Sequence, residues 1–114
     1  MQAIRLYTGK DGESHFEDIP DLFSSGGLQQ AMHQKAAEVI FTGGSGQNSL
    51  DWHTAPRRQY LLFLNGHTEI EVGDRSIRRF GPGDVLLAED LTGHGHLTRT
   101  WGDDRRVVWV PLAD

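Results

Sequence analysis

The feature that most constrains the fold is a succession of short β-prone runs cut by turn signals. Fourteen glycines are spread over 114 residues, and apolar or alternating runs of four to eight residues recur at intervals of about 8 to 12 residues, a spacing that indicates a β-sandwich or barrel. Glu38 to Thr42 reads as a strand stopped by Gly43-Gly44-Ser45-Gly46. That glycine-rich piece lacks the GK[ST] ending of a phosphate cradle and reads as a loop. The run Gln59 to Leu64, then Asn65-Gly66, then His67 to Val72 reads as a hairpin, because Asn-Gly supplies the two positive-φ positions of a type I′ turn. Ser76 to Phe80 follows as a short strand, and Gly81-Pro82-Gly83 reverses the chain. Asp84 to Glu89 is almost continuously apolar, as a strand buried on both faces would be. His96 to Trp101 and Arg105 to Leu112 read as the last two strands, parted by Gly102-Asp103-Asp104. Residues 1–30 are less regular: Ala3 to Tyr7 suits an edge strand, and Pro20 to Gly27 a helical turn running into a loop.

Length sets one domain, residues 1–114. Hydrophobic residues at 37% and charged residues at 24% make a balance too apolar for disorder and too polar for a membrane protein. No apolar run approaches the roughly 20 residues of a membrane helix, and the N-terminal residues lack the apolar stretch of a secretory signal. A cytoplasmic location is expected. A net charge of −5 argues against nucleic acid as a partner. With no cysteine, any bound metal must be held by nitrogen and oxygen.

Two stretches carry candidate chemistry, WHTAPRRQYLLFLNG (52–66) and RRFGPGDVLLAEDLTGHGH (78–96). They resemble the two sequence motifs of the cupin superfamily. The first family motif has two histidines one residue apart, then three or four residues, a glutamate, six further residues and a glycine. Aligning Gly66 with that glycine puts Gln59 at the glutamate position, His53 at the first histidine and Ala55 at the second. The second motif opens on a glycine, here Gly83, and ends on a histidine. Strict count gives His94, and the strand-like sequence after it favours His96. The resemblance covers about residues 38–112. It implies an all-β, double-stranded β-helix (jelly-roll) barrel with a short irregular or helical N-terminal segment, and a homodimer.

It also implies a site at His53, Gln59 and His96 inside the barrel, serving as metal ligands or as acid/base groups. A divalent ion (Fe, Mn, Ni or Zn) held by two imidazoles and a carboxamide is weaker than the family's three histidines and a glutamate, and a metal-free site is the alternative. Glu89 or Asp90, ending the apolar strand, is available to restore the missing oxygen. Strand parity puts Ala55, Arg57, Gln59, Leu61 and Phe63 on the face of His53 if the chain stays extended past Pro56. Arg57, Phe63 and Glu89 are accordingly expected to meet a small-molecule substrate, Arg57 through its forked donors. Each group has a structural alternative: His53 as a buried backbone-bonded histidine, Gln59 as a side chain closing the barrel. His15, His33 and His67 are expected at the surface, and Trp52, Trp101 and Trp109 in the core or a dimer contact. Three functions remain open, a small cupin enzyme (dioxygenase, isomerase or lyase), a non-catalytic binding module, and a purely structural dimer whose barrel interior is plugged by side chains.

Overall fold

A computed structural model describes all 114 residues. The fold is all-β. Eight strands, β1 (Ala3–Thr8), β2 (Ser14–Asp18), β3 (Ile40–Gly44), β4 (Asn48–His53), β5 (Gln59–Glu71), β6 (Ile77–Phe80), β7 (Val85–Glu89) and β8 (His96–Pro111), are joined by loops and a single 3₁₀ turn at Leu28–Gln30. No helix is long and apolar enough to cross a membrane.

Two long strands organise the molecule. β5 and β8 run antiparallel from Gln59↔Pro111 to Glu71↔Leu97, and each changes neighbours half-way. The first half of β5 pairs with β7 and the last part of β8 with β3, giving the order β2-β1-β7-β5-β8-β3. The second half of β5 pairs with β6 and the first part of β8 with β4. The chain thus makes two sheet layers sharing two bent strands, a jelly-roll arrangement. The core lies between the layers: Ile4, Leu6, Leu61, Phe63, Leu86 and Ala88 from the larger layer meet Ile70, Val72 and Phe80 from the smaller one, with Phe63 and Phe80 stacked at 5.2 Å.

Three sequence expectations are corrected. Asn65-Gly66 is not a hairpin turn but a bulge inside the continuous strand β5. Only Gly66 takes a positive φ (85°), whereas a type I′ turn needs two such residues, and both flanking runs pair with β8 rather than with each other. Likewise Gly102-Asp103-Asp104 does not end a strand. Between the pairs Asn65↔Arg106 and His67↔Trp101, β5 advances by two residues and β8 by five, so the surplus bulges out, helped by positive φ at Gly102 (111°) and Asp104 (53°). Finally, β1 is no edge strand: it lies between β2 and a parallel β7, and β2 itself gave no clear signal.

The irregular segment after β2 folds over the outer face of the larger layer, where Leu22, Phe23 and Met32 form an apolar groove with Tyr60, Leu62 and Val85. The strand Val85–Ala88 is buried on both faces, as its composition implied.

Candidate functional site

His96 opens β8 and pairs with His53, the last residue of β4. The approach is close because Gly95 has no side chain: a Cβ there would lie 2.1 Å from the His53 carbonyl oxygen, and Gly95 also holds a positive φ of 80°. The two imidazoles meet at 4.4 Å between ring centroids, tilted by 57°. His96 shares its strand face with Thr98 and Thr100, so it points between the layers.

Behind His96 stands Asp90, in the loop that leaves β7. Its carboxylate is fully buried. Asp90 Oδ2 lies 2.6 Å from His96 Nδ1 and accepts a hydrogen bond from Ser14 Oγ at 2.7 Å, while Oδ1 is buried without a partner. The Asp90 carbonyl also accepts the Ala55 N–H at 3.0 Å, which seats the loop between β4 and β5 beside the histidines. With the Asp90 carboxylate as acceptor, His96 Nδ1–H is the donor, which leaves Nε2 on the ring edge away from Asp90. His53 is fixed in the same sense, since its Nδ1 lies 2.8 Å from the Asp51 carbonyl oxygen. Two oriented imidazoles with free Nε2 lone pairs therefore stand side by side at one end of the interior.

Along β8 from His96, the space between the layers opens into a cavity of about 230 Å³. Thr68, Thr98, Thr100, Trp109 and Arg105 line it, with Leu61 and Phe63 as its apolar wall. Val85 and Leu87 do not fill it. They alternate with Leu86, which pairs with the inward-facing Leu61, and so point outward.

The structure brings together part of the site expected from the sequence. His53 and His96 meet. His94 does not join them: it is exposed, stacks on Trp52 at 4.2 Å and pairs with Glu13 at 2.8 Å. Gln59 is buried in the neighbouring inward row, opposite Ala88 and Pro111, and makes no side-chain hydrogen bond to either imidazole. Phe63 lines the cavity. Arg57 is exposed in the loop after His53, where the chain departs from the extended form that strand parity required. Glu89 faces outward and is held by Arg5 and, at 2.8 Å, by Arg58. Burial opposes its ionisation, but the hydrogen bonds from the two guanidinium groups outweigh that and hold its carboxyl below the usual range. Neither Arg57 nor Glu89 is placed to meet a ligand between the layers.

A resident divalent ion does not fit this donor set. No three His, Asp or Glu side chains converge anywhere in the chain, Ala55 beside the histidines carries no donor side chain, and Asp90 is engaged at His96 Nδ1. Two imidazoles alone fall short of the three protein ligands usual for such centres.

Three contributors escaped sequence reasoning. Ser14 is 76 residues from Asp90 and has no local signal. The sequence offers Asp90 as an oxygen ligand, whereas its place is behind His96, where a carboxylate is a common orienting partner. The threonines were legible in principle: Thr98 and Thr100 alternate along a strand that begins with the candidate histidine.

Fold and site together define an all-β jelly-roll protein with an imidazole pair and a hydroxyl-lined cavity between its layers. No family model and no curated protein matches the chain. Among solved structures it is similar to a conserved protein of unknown function from Streptococcus pyogenes (14% identity, 74% of this chain and 69% of that one, TM-score 0.49) and to a cupin superfamily protein from Desulfitobacterium hafniense (15% identity, 76% of this chain and 88% of that one, TM-score 0.46). These are likenesses of fold, and the site stands on its own geometry.

Proposed function

We infer that the chain is a small cupin that takes a small organic molecule between its layers and moves a proton at His96 Nε2, without a resident metal. The observation that supports this most is the chain Ser14–Asp90–His96: a buried carboxylate fixes one tautomer, leaves Nε2 free beside His53, and faces the positive charge the ring gains on taking a proton. The same arrangement occurs behind general bases, where the carboxylate orients the imidazole and does not itself receive the proton. Thr98, two residues along the same strand face from His96, lines the cavity, so the near end of the cavity begins about 7 Å along the strand from His96.

Deuterium exchange tests this directly. Acetone and pyruvate are incubated with the protein in D₂O, and incorporation at the methyl carbon is followed by NMR. In that reaction a C–H bond breaks, its electron pair passes to the carbonyl oxygen, the base takes the proton, and a solvent deuteron returns to carbon. The wild type is expected to exceed H96Q by about 10²-fold or more, the usual contribution of a positioned base. Equal rates for the two proteins would leave a binding module without proton transfer.

A further inference from the structure

We propose that the cavity between the layers is a carboxylate site whose anchor is Arg105. The proposal rests on the interior-ligand reading above and names the class of ligand. Arg75, Arg78, Arg79, Arg99 and Arg106, like Arg5 and Arg58, each have a carboxylate within ion-pair distance. Arg105 has none. Its Nη2 donates to the Ser45 carbonyl oxygen at 3.2 Å, and its Nε–H is buried with no acceptor at all, although buried donors are almost always satisfied. This unspent donor belongs to a residue that lines the cavity.

Arg105 is also built into place. Its stem lies against Gly66, where a Cβ would come within 2.4 Å of Arg105 Cγ, and its guanidinium lies beside Gly44, where a Cβ would be 3.2 Å from Nη2. Arg105 thus sits beside both bulges, at the last pair of the β3–β8 ladder (Gly44↔Arg105), with its side chain on the cavity wall. A guanidinium matches a carboxylate in planar, forked geometry.

The rest of the lining suits the same ligand. Thr68, Thr98 and Thr100 make no side-chain hydrogen bond within the chain, leaving three hydroxyl donors for carboxylate or carbonyl oxygens. Thr42, by contrast, is already engaged, donating to the Val107 carbonyl oxygen and accepting from Trp109 Nε1, each at 2.9 Å. No Asp or Glu lines the cavity. Leu61, Phe63 and Trp109 provide an apolar wall for the remainder of a small monocarboxylic acid.

The test compares each of three acids, propionate, pyruvate and benzoate, with its own neutral amide, by NMR titration of the ¹⁵N-labelled protein and of R105Q, R105K and H96Q. At least one acid is expected to bind about tenfold or more tightly than its amide, the scale of one charge-assisted hydrogen bond, and to move the Arg105 Nε–H resonance. R105Q should lose the preference and R105K keep part of it. Equal binding of acids and amides to the wild type, no binding of any acid at about 10 mM, or a preference that survives R105Q would each overturn the proposal. Acid binding that persists in H96Q while the acetone exchange rate matches that of H96Q would retain the carboxylate site and remove the proton-transfer reading. Acetone exchange dependent on His96 without acid preference would do the reverse.

Discussion

His96 Nδ1 lies 2.6 Å from Asp90 Oδ2, and both side chains are almost wholly withdrawn from solvent. The pair also ties elements of the fold together. Asp90 follows β7, His96 begins β8, and Ser14 begins β2, so one carboxylate oxygen joins three strands of the sandwich at the end where the imidazoles meet.

Removing the Ser14 hydroxyl leaves Asp90 with a single hydrogen bond to a buried carboxylate. S14A is expected to lose about 1–3 kcal/mol of stability, the range for a hydrogen bond to a buried charged group, read as a lower urea midpoint at unchanged slope. A wild-type midpoint would mean that Ser14 does not support the carboxylate.

Acid stability should depend on Glu89. Its carboxyl is held below the ordinary glutamate value of 4.5, burial working against the shift and the hydrogen bonds from Arg5 and Arg58 prevailing. A carboxyl depressed in the folded state binds fewer protons there than in the unfolded chain, so its contribution is complete above the unfolded pKa and disappears as pH falls through the folded one. E89Q is expected to cost roughly 1 kcal/mol at neutral pH and to flatten the stability profile below pH 4.5. Parallel profiles for E89Q and wild type would contradict this.

Gly66 is the residue on which the Arg105 geometry turns. G66A places a Cβ at a φ of 85° and within 2.4 Å of Arg105 Cγ, and the backbone strain alone is worth about 1–3 kcal/mol. Thermal denaturation should show the loss, and the Arg105 Nε–H resonance should move. An unshifted resonance in a folded G66A would show that the glycine does not position the arginine.

Much of this was legible in the sequence, and the rest was hidden for physical reasons. The inward alternation of Gln59, Leu61 and Phe63 and the doubly buried run Val85–Ala88 follow from strand periodicity alone, and His96 was separable from His94 by the strand that follows it. Asn65-Gly66 misled because the same dipeptide serves a turn or a bulge, and the choice rests on β8, more than thirty residues downstream in the chain. Arg57 misled for a related reason: the count from His53 assumed an extended chain, while Ala55 instead bonds to Asp90 and breaks the parity. Ser14 and Arg105 enter the site through long-range packing that no local pattern encodes.

The donor set predicts that the protein needs no metal. Protein purified without chelator should contain a divalent transition metal at well below one equivalent, and EDTA should leave its melting temperature unchanged. A stoichiometric metal lost in both H53A and H96A would show that the two imidazoles recruit a third ligand on binding.

The most direct test of the acid–base site is the protonation pattern of the two imidazoles. Long-range ¹H–¹⁵N correlation spectra of the protein report which ring nitrogen carries hydrogen. The Ser14–Asp90–His96 arrangement predicts that His96 and His53 both carry it on Nδ1, with Nε2 free, and that D90N disturbs His96 alone. A wild-type His96 protonated on Nε2 would remove His96 as a base and would contradict the account.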